Sequence, residues 1–156
     1  MDHPVHKFYG NRLRVRVCGV CVHDHRLLLV RHGMADGPLW APPGGRLEFS
    51  ESAGDCLARE FREETGLSVE IRDFLFTCEL LNPFLHAVEL FFAVEWVGGT
   101  LITGHDPEAG SPVVIEEVAW LTSAHVMALP PAQRHGIFER VADPLQIASL
   151  RGYFRL

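Results

Sequence analysis

Residues 12–17 alternate Arg-Leu-Arg-Val-Arg-Val, the two-residue period of a half-buried strand with Arg12, Arg14 and Arg16 on one face. The apolar character continues through Cys18 to Val22. After a turn at His23-Asp24-His25, residues 26–30 form a short apolar run that predicts a second strand. Residues 32–45 are punctuated by Gly33, Gly37, Pro38, Pro42, Pro43, Gly44 and Gly45, which predicts a loop, with a short strand at 46–48. Further strands are predicted over 67–80, broken near Asp73, and over 87–97, a segment rich in Val, Phe and Trp that Gly98-Gly99 ends. Residues 113–121 add another, after a Gly, Asp and Pro-containing loop at 104–112.

Helical patterning is confined to three places. Residues 51–65 predict a helix: Ser50 or Ser52 can cap its start, Asp55 completes a capping box with Ser52, and Gly66 suits the position after its end. Residues 123–129 and 133–141 predict two more, separated by Pro130-Pro131, and 145–150 a final turn. Strands before, between and after helices make the class mixed α/β, and 156 residues make one domain.

Composition narrows the function classes. The formal net charge of −6 argues against non-specific binding to nucleic acid or to an anionic membrane. It leaves an anionic substrate open, because a bound cation inverts the local charge. There is no apolar run of membrane-spanning length, and the first ten residues lack the apolar stretch of a signal peptide, so a cytoplasmic location with reduced cysteines is expected. Cys18-x-x-Cys21 sits in a strand, where residues three apart face opposite ways, so these thiols read as buried core groups. The stripe of Arg12, Arg14 and Arg16 reads as a solvated face; binding of phosphate or of a partner subunit is the alternative.

The chemistry is concentrated in residues 45–67. Glu60, Glu63 and Glu64 are spaced i, i+3, i+4 and share about 100° of a helix surface. Ala53, Cys56 and Leu57 fall in or beside the same arc, so these carboxylates lie on a core-directed face. Like charges there repel and lose solvent, at about 1.4 kcal/mol per pKa unit. A divalent cation relieves that repulsion, and hard oxygen ligands suit Mg²⁺, with Mn²⁺ as the alternative. Gly45 lets backbone approach such a site closely, making its carbonyl a further candidate ligand. Arg59 is placed to pair with Glu51 or Glu60 and hold a ligand in position.

A lone Glu-x-x-Glu-Glu would be an ordinary charged helix face. The full pattern of seven fixed identities arises by chance roughly once in 10⁸ starts at average composition. It resembles the Nudix box, G-x5-E-x7-R-E-U-x-E-E-x-G-U with U a bulky apolar residue, and every fixed position matches; Phe61 at the first U is a mild variation. The lead-in Leu39-Trp40-Ala41-Pro42-Pro43-Gly44-Gly45 is similar to the family's W-x-x-P-G-G approach. The resemblance implies a Nudix fold, a mixed β-sheet sandwiched between α-helices. It implies Mg²⁺-dependent hydrolysis of a nucleoside diphosphate linked to another moiety, by attack of water on phosphorus.

Residue by residue, the resemblance implies Glu60 and Glu64 as main metal ligands, Glu63 as a further ligand or the general base, and Gly45 as a carbonyl ligand. Glu51 and Arg59 brace the site. Glu116 or Glu117 is the second choice for the base and Glu108 the third. Arg31, His32 and Arg46 flank the loop before the box, where residues of this family often face substrate. Pro83 lies 16 residues after Leu67, a spacing associated with ADP-ribose hydrolases. An ADP-ribose-like compound or a nucleotide sugar is therefore favoured. The alternatives are a nucleoside triphosphate pyrophosphohydrolase and a nucleotide-sensing module without turnover. The apolar C-terminal residues Gly152-Tyr153-Phe154-Arg155-Leu156 are expected to dock on the body or on a second copy, which would make a homodimer.

Overall fold

A computed structural model of the chain describes residues 10–105 and 113–156. The first strand, β1 (Leu13–His23), is its spine. One edge of β1 pairs in parallel with β6 (Leu85–Gly99), from Leu13 opposite His86 to Cys21 opposite Val94. It also pairs antiparallel with β4 (Gly44–Arg46) and, at its end, with β2 (Arg26–Met34). Strand β2 carries β3 (Gly37–Ala41) and β7 (Val114–Leu121) on its two sides. Strand β6 carries β5 (Leu67–Asn82), whose outer edge takes β8 (Gly152–Arg155) in parallel.

Alternation along β1 divides the interior into two cores. Val17 and Cys21 pack with Cys56, Leu57 and Phe61 of helix α1 (Ala53–Thr65). Cys18 and Val20 pack on the other face with Phe76, Phe91, Val126 and Phe138. That second face is covered by helix α2 (Ser123–Ala128) and by 3₁₀ turns at Pro131–Gln133, Gly136–Arg140 and Pro144–Ser149. The sheet is thus layered between helical elements, the α/β arrangement expected. Cys18 and Cys21 are buried free thiols in opposite cores, as their spacing in a strand requires. Among the described residues no helix is long and apolar enough to cross a membrane.

Three features differ from the sequence expectation. Residues 32–45 are not one loop: β2 runs on to Met34, and β3 and β4 follow. Pro38 is tolerated because β3 is an edge strand, and among the described strands it pairs with β2 alone. Gly44 is required because any Cβ there would run into the Val17 carbonyl and Cys18. Residues 133–141 are not a regular helix, because Arg134 bridges to Trp40 and the His135 N–H donates to the Trp40 carbonyl at 2.9 Å. Those two residues are extended, so only short 3₁₀ turns fit on either side.

Of the two alternatives expected for the C-terminal residues, docking on the body of the same chain is seen: the Leu156 N–H donates to the Glu79 carbonyl at 2.9 Å, and Phe154 meets Phe76 edge-on. Finally, the arginine stripe is an exposed face only at Arg12. Arg14 is buried, and Arg16 is paired inside the sheet.

Phe61 is fully buried under β1, at the point where Gly19 leaves room for its ring. Phe61→Ala is expected to lower stability by about 3–5 kcal/mol, seen as a reduced urea midpoint at unchanged m-value. A loss below 1 kcal/mol would mean that the α1 face does not rest on this side chain.

Candidate active site

Helix α1 begins where Ser52 accepts the Asp55 N–H at 3.1 Å and ends at Gly66, whose φ of 74° is left-handed. Its buried face comprises Cys56, Leu57, Glu60, Phe61, Glu64 and Thr65. Two carboxylates therefore point inward: Glu64 is 2% and Glu60 6% exposed. Strand β4 supplies the opposing wall. The Gly44 N–H donates to Glu64 Oε2 at 3.1 Å. The Gly45 backbone lies directly against the Glu60 carboxyl, and a Cβ at that position would collide with it. The Gly45 carbonyl faces the helix, 3.9 Å from Cys56 Sγ.

Arg59 ties the carboxylates together. It grips Glu51 with two donors, Nε to Oε1 at 2.8 Å and Nη2 to Oε2 at 3.1 Å. Its Nη1 donates to Glu60 Oε1 at 2.9 Å and to Glu63 Oε2 at 3.1 Å. Glu51 in turn accepts the Glu48 N–H at 3.1 Å, which anchors the clamp to the loop before the helix. The Glu51 carboxyl is held below its usual range, mainly by the hydrogen bond from Arg59. Glu60 is shifted the other way: burial raises it, Arg59 opposes, and the neighbouring Glu63 charge adds to the rise.

Glu60 is thus a buried carboxylate that ionises reluctantly until more positive charge arrives. Among the described residues, no three His, Cys, Asp or Glu side chains converge in a ready-made cage. The expected grouping of Glu60, Glu63 and Glu64 around one ion is thus not seen; a hard cation that keeps several waters needs only one or two carboxylates. Glu60, Glu64 and the Gly45 carbonyl are the oxygen donors here, and they fit such an ion. Glu63 is the most open of the helix carboxylates facing Arg59, with a side chain 28% exposed.

Of the other predicted residues, Arg46 adjoins the clamp through its carbonyl, which accepts from Arg59 Nη2 at 3.4 Å, and Arg31 and His32 lie on β2. Arg31 lies opposite Glu117 across β2 and β7, and its Nε is 3.4 Å from Glu116 Oε2. Arg46 is at the end of β4, 3.4 Å from Glu48. His32 is buried rather than presented at a surface. Glu108 lies outside the described residues.

A second polar cluster went unnoticed in the sequence. Glu89 of β6 is buried, and its Oε1 accepts from His135 Nε2 at 2.8 Å. His135 Nδ1 accepts the Ile137 N–H at 3.1 Å, which leaves the ring proton on Nε2 to donate to Glu89. Glu89 Oε2 faces Arg16 Nε at 3.5 Å and Cys18 Sγ at 3.8 Å. Burial works to raise the Glu89 carboxyl, but His135, Arg16 and Cys18 together bring it below its usual value. His32 is lowered to about 4 by burial and by Arg16. The sequence signal was a lone carboxylate in the middle of the apolar run Val-Glu-Leu-Phe-Phe.

Comparison with known proteins bears on the family and the fold. The sequence model of the NUDIX domain matches residues 10–141. The chain is 32% identical over 127 residues to an NAD-capped RNA hydrolase NudC of Pseudomonas fluorescens, covering 81% of this chain and 42% of that protein. It is 30% identical over 97 residues to an ADP-ribose pyrophosphatase of Methanocaldococcus jannaschii, covering 59% of this chain and 56% of that one. The chain thus spans about half the length of these curated relatives. A NUDIX hydrolase structure from Nitrosomonas europaea superimposes with a TM-score of 0.67 at 19% identity, over 92% of this chain and 78% of that one, which supports the fold.

The buried His32 makes stability depend on pH. A free histidine titrates near 6.5 and His32 near 4, so the folded state binds fewer protons between those values. Its contribution is fully present above about pH 6.5 and is lost as pH falls toward 4, on the order of 3 kcal/mol in all. Glu89 adds to the loss only at lower pH, whereas Glu60 is relieved on acidification. Urea midpoints of the wild type should therefore fall from pH 7 to 5, and His32→Asn should flatten that slope. Parallel slopes for the two proteins would show that His32 does not carry it.

Proposed function

Since the chain belongs to the NUDIX domain family, we propose that it hydrolyses the diphosphate linkage of a nucleoside diphosphate derivative with the help of Mg²⁺. The observation that carries this reading is the pair of buried carboxylates, Glu60 and Glu64, set against the Gly44-Gly45 backbone. Glu60, Glu64 and the Gly45 carbonyl would hold the cation. When bound, it supplies positive charge for phosphate oxygens and acidifies water nearby.

The chain's own groups supply the rest. The Glu51–Arg59 clamp orients Glu60 and opposes the rise that burial imposes on its carboxyl. Glu63 is the base that accepts a proton from the attacking water: it is partly open to solvent and one helical turn from Arg59. Glu116, 3.4 Å from Arg31 on β7, or its neighbour Glu117 is the alternative base. Arg31 and Arg46 are the candidate contacts for the remainder of the substrate.

We favour an ADP-ribose-like compound or a nucleotide sugar over a nucleoside triphosphate. A cleft of about 340 Å³ opens at the start of β1 and β6, lined in part by Arg12, Pro83, Phe84 and His86. It begins three residues from Arg16 along β1, about 10 Å, within reach of a sugar or base attached to a diphosphate at the box. Asn82 Oδ1 accepts the Phe84 and Leu85 N–H groups, which fixes the turn that carries Pro83. The relative named as an ADP-ribose pyrophosphatase supports the same class.

A panel of nucleoside diphosphate compounds, assayed for product release with and without Mg²⁺, tests the reading. Cleavage of ADP-ribose or a nucleotide sugar well above nucleoside triphosphates, abolished by chelator, is expected. Preference for triphosphates would overturn the substrate class, and turnover undiminished by chelator would overturn the cation.

Glu64→Gln is expected to cut turnover by about 100-fold or more and to weaken Mg²⁺ binding in calorimetry, with the far-ultraviolet circular dichroism unchanged. Full activity in that variant would mean that the site is misassigned.

A further inference from the structure

We propose that Arg16 is the protein's own cation for the substrate diphosphate, held beside the box by the buried Glu89–His135 pair. The inference rests on the proposed function above and adds a ligand on the face of the sheet away from α1. Arg16 stands at a junction: in β1 it lies opposite Arg46 of β4 on one side and Glu89 of β6 on the other. Its neighbour Val17 pairs with Gly45, the residue packed on Glu60. Arg16 is therefore one strand position from the backbone that frames the carboxylates of α1, close enough for its guanidinium to feel the charges of Glu64 and Glu60.

Its bonding is incomplete. Arg16 Nε is buried and makes no hydrogen bond, and its approach to Glu89 Oε2 is a 3.5 Å ion pair. The side chain as a whole is 31% exposed, so the group is sheltered at its base and open at its outer end. Burial works against its charge, but the fields of Glu89, Glu64 and Glu60 keep it firmly protonated. The groups beside it do not compete as charges at neutral pH. Cys18 is a thiol, raised by burial and by Glu89, and His32, lowered to about 4, is uncharged.

Glu89 acts as the positioning residue. One oxygen is committed to His135 and the other faces Arg16 and Cys18, so the carboxylate cannot swing away. Phe91 closes on the His135 ring edge-on, with centroids 5.5 Å apart. The guanidinium is a planar fork with further donors, suited to phosphate oxygens. An incoming diphosphate meets several carboxylates at the box, and a fixed guanidinium beside them offsets that repulsion where it is largest. A purely structural ion pair would hold the sheet together and leave diphosphate binding unchanged in any variant that still folds.

Calorimetry of two probes separates these roles: Mg²⁺ alone, and methylenediphosphonate in the presence of Mg²⁺, whose bridging carbon resists hydrolysis. In Arg16→Gln we expect diphosphonate affinity to fall by about 10- to 100-fold. Mg²⁺ affinity should stay the same or rise, because a positive charge near Glu60 and Glu64 is gone. Arg16→Lys should recover part of the diphosphonate affinity. If Arg16→Gln does not fold, the double variant Arg16→Met with Glu89→Gln removes both charges of the pair and is read in the same way.

Equal diphosphonate affinity in the wild type and these folded variants would overturn the role of Arg16 while leaving the diphosphate site standing. Parallel loss of both probes would also overturn it, as a structural effect. A wild type that binds no diphosphonate with Mg²⁺ would overturn this inference and the proposed function together.

Discussion

Two carboxylates of helix α1 lose their water against the backbone of a three-residue strand, and much of the site is arranged around that contact. Glu64 is stabilised by the Gly44 N–H, and Glu60 by Arg59. Neither arrangement survives a side chain at position 44 or 45, because a Cβ at Gly44 would strike β1 and one at Gly45 would strike Glu60. The glycines are needed less for flexibility than for the absence of a side chain. They let β4 sit between β1 and α1 at a distance where backbone polar groups, not water, face the carboxylates.

The same strand β1 serves two environments because its side chains alternate. Val17 looks toward α1 and seals the apolar layer beneath the box. Arg16 and Cys18 look the other way, toward Glu89, His135 and the C-terminal 3₁₀ turns. The box is therefore supported from behind by residues far away in sequence. Glu89 and His135 are 46 positions apart and meet at 2.8 Å because Trp40 of β3 pulls Arg134 and His135 into an extended conformation. The residues between box and C-terminus thus shape the site without belonging to its motif.

This explains which parts were legible in the sequence. The α1 helix, its Ser52 cap and its Gly66 end are local signals, and they appear as expected. So do the clamp of Arg59 on Glu51 and Glu60, the β5 irregularity near Asp73, and the opposite orientation of Cys18 and Cys21. Strands β3, β4 and β8 were not legible, since each is five residues or fewer and rich in Gly or Pro or placed at an edge. Their pairing is decided by partners distant in sequence. The buried Arg14 and half-buried Arg16 depart from expectation for a similar reason: alternation shows that they share a face, but only Glu89 and the covering 3₁₀ turns decide that the face is closed around them.

A chain of net charge −6 that handles an anionic substrate must concentrate positive charge locally. Its arginines near the box are not equivalent in this respect. Arg59 spends its donors on Glu51, Glu60 and Glu63, so its charge is already matched by carboxylates and its role is to hold them. Arg16 faces one committed carboxylate, Glu89, and keeps an Nε without a hydrogen bond. Both feel the box carboxylates, but the first is neutralised by them and the second is set at their margin. Replacing Arg59 should therefore disorder the carboxylates themselves, whereas the charge of Arg16 can be turned toward an arriving anion. One motif thus contains a structural arginine, and the strand behind it contributes a guanidinium with capacity to spare.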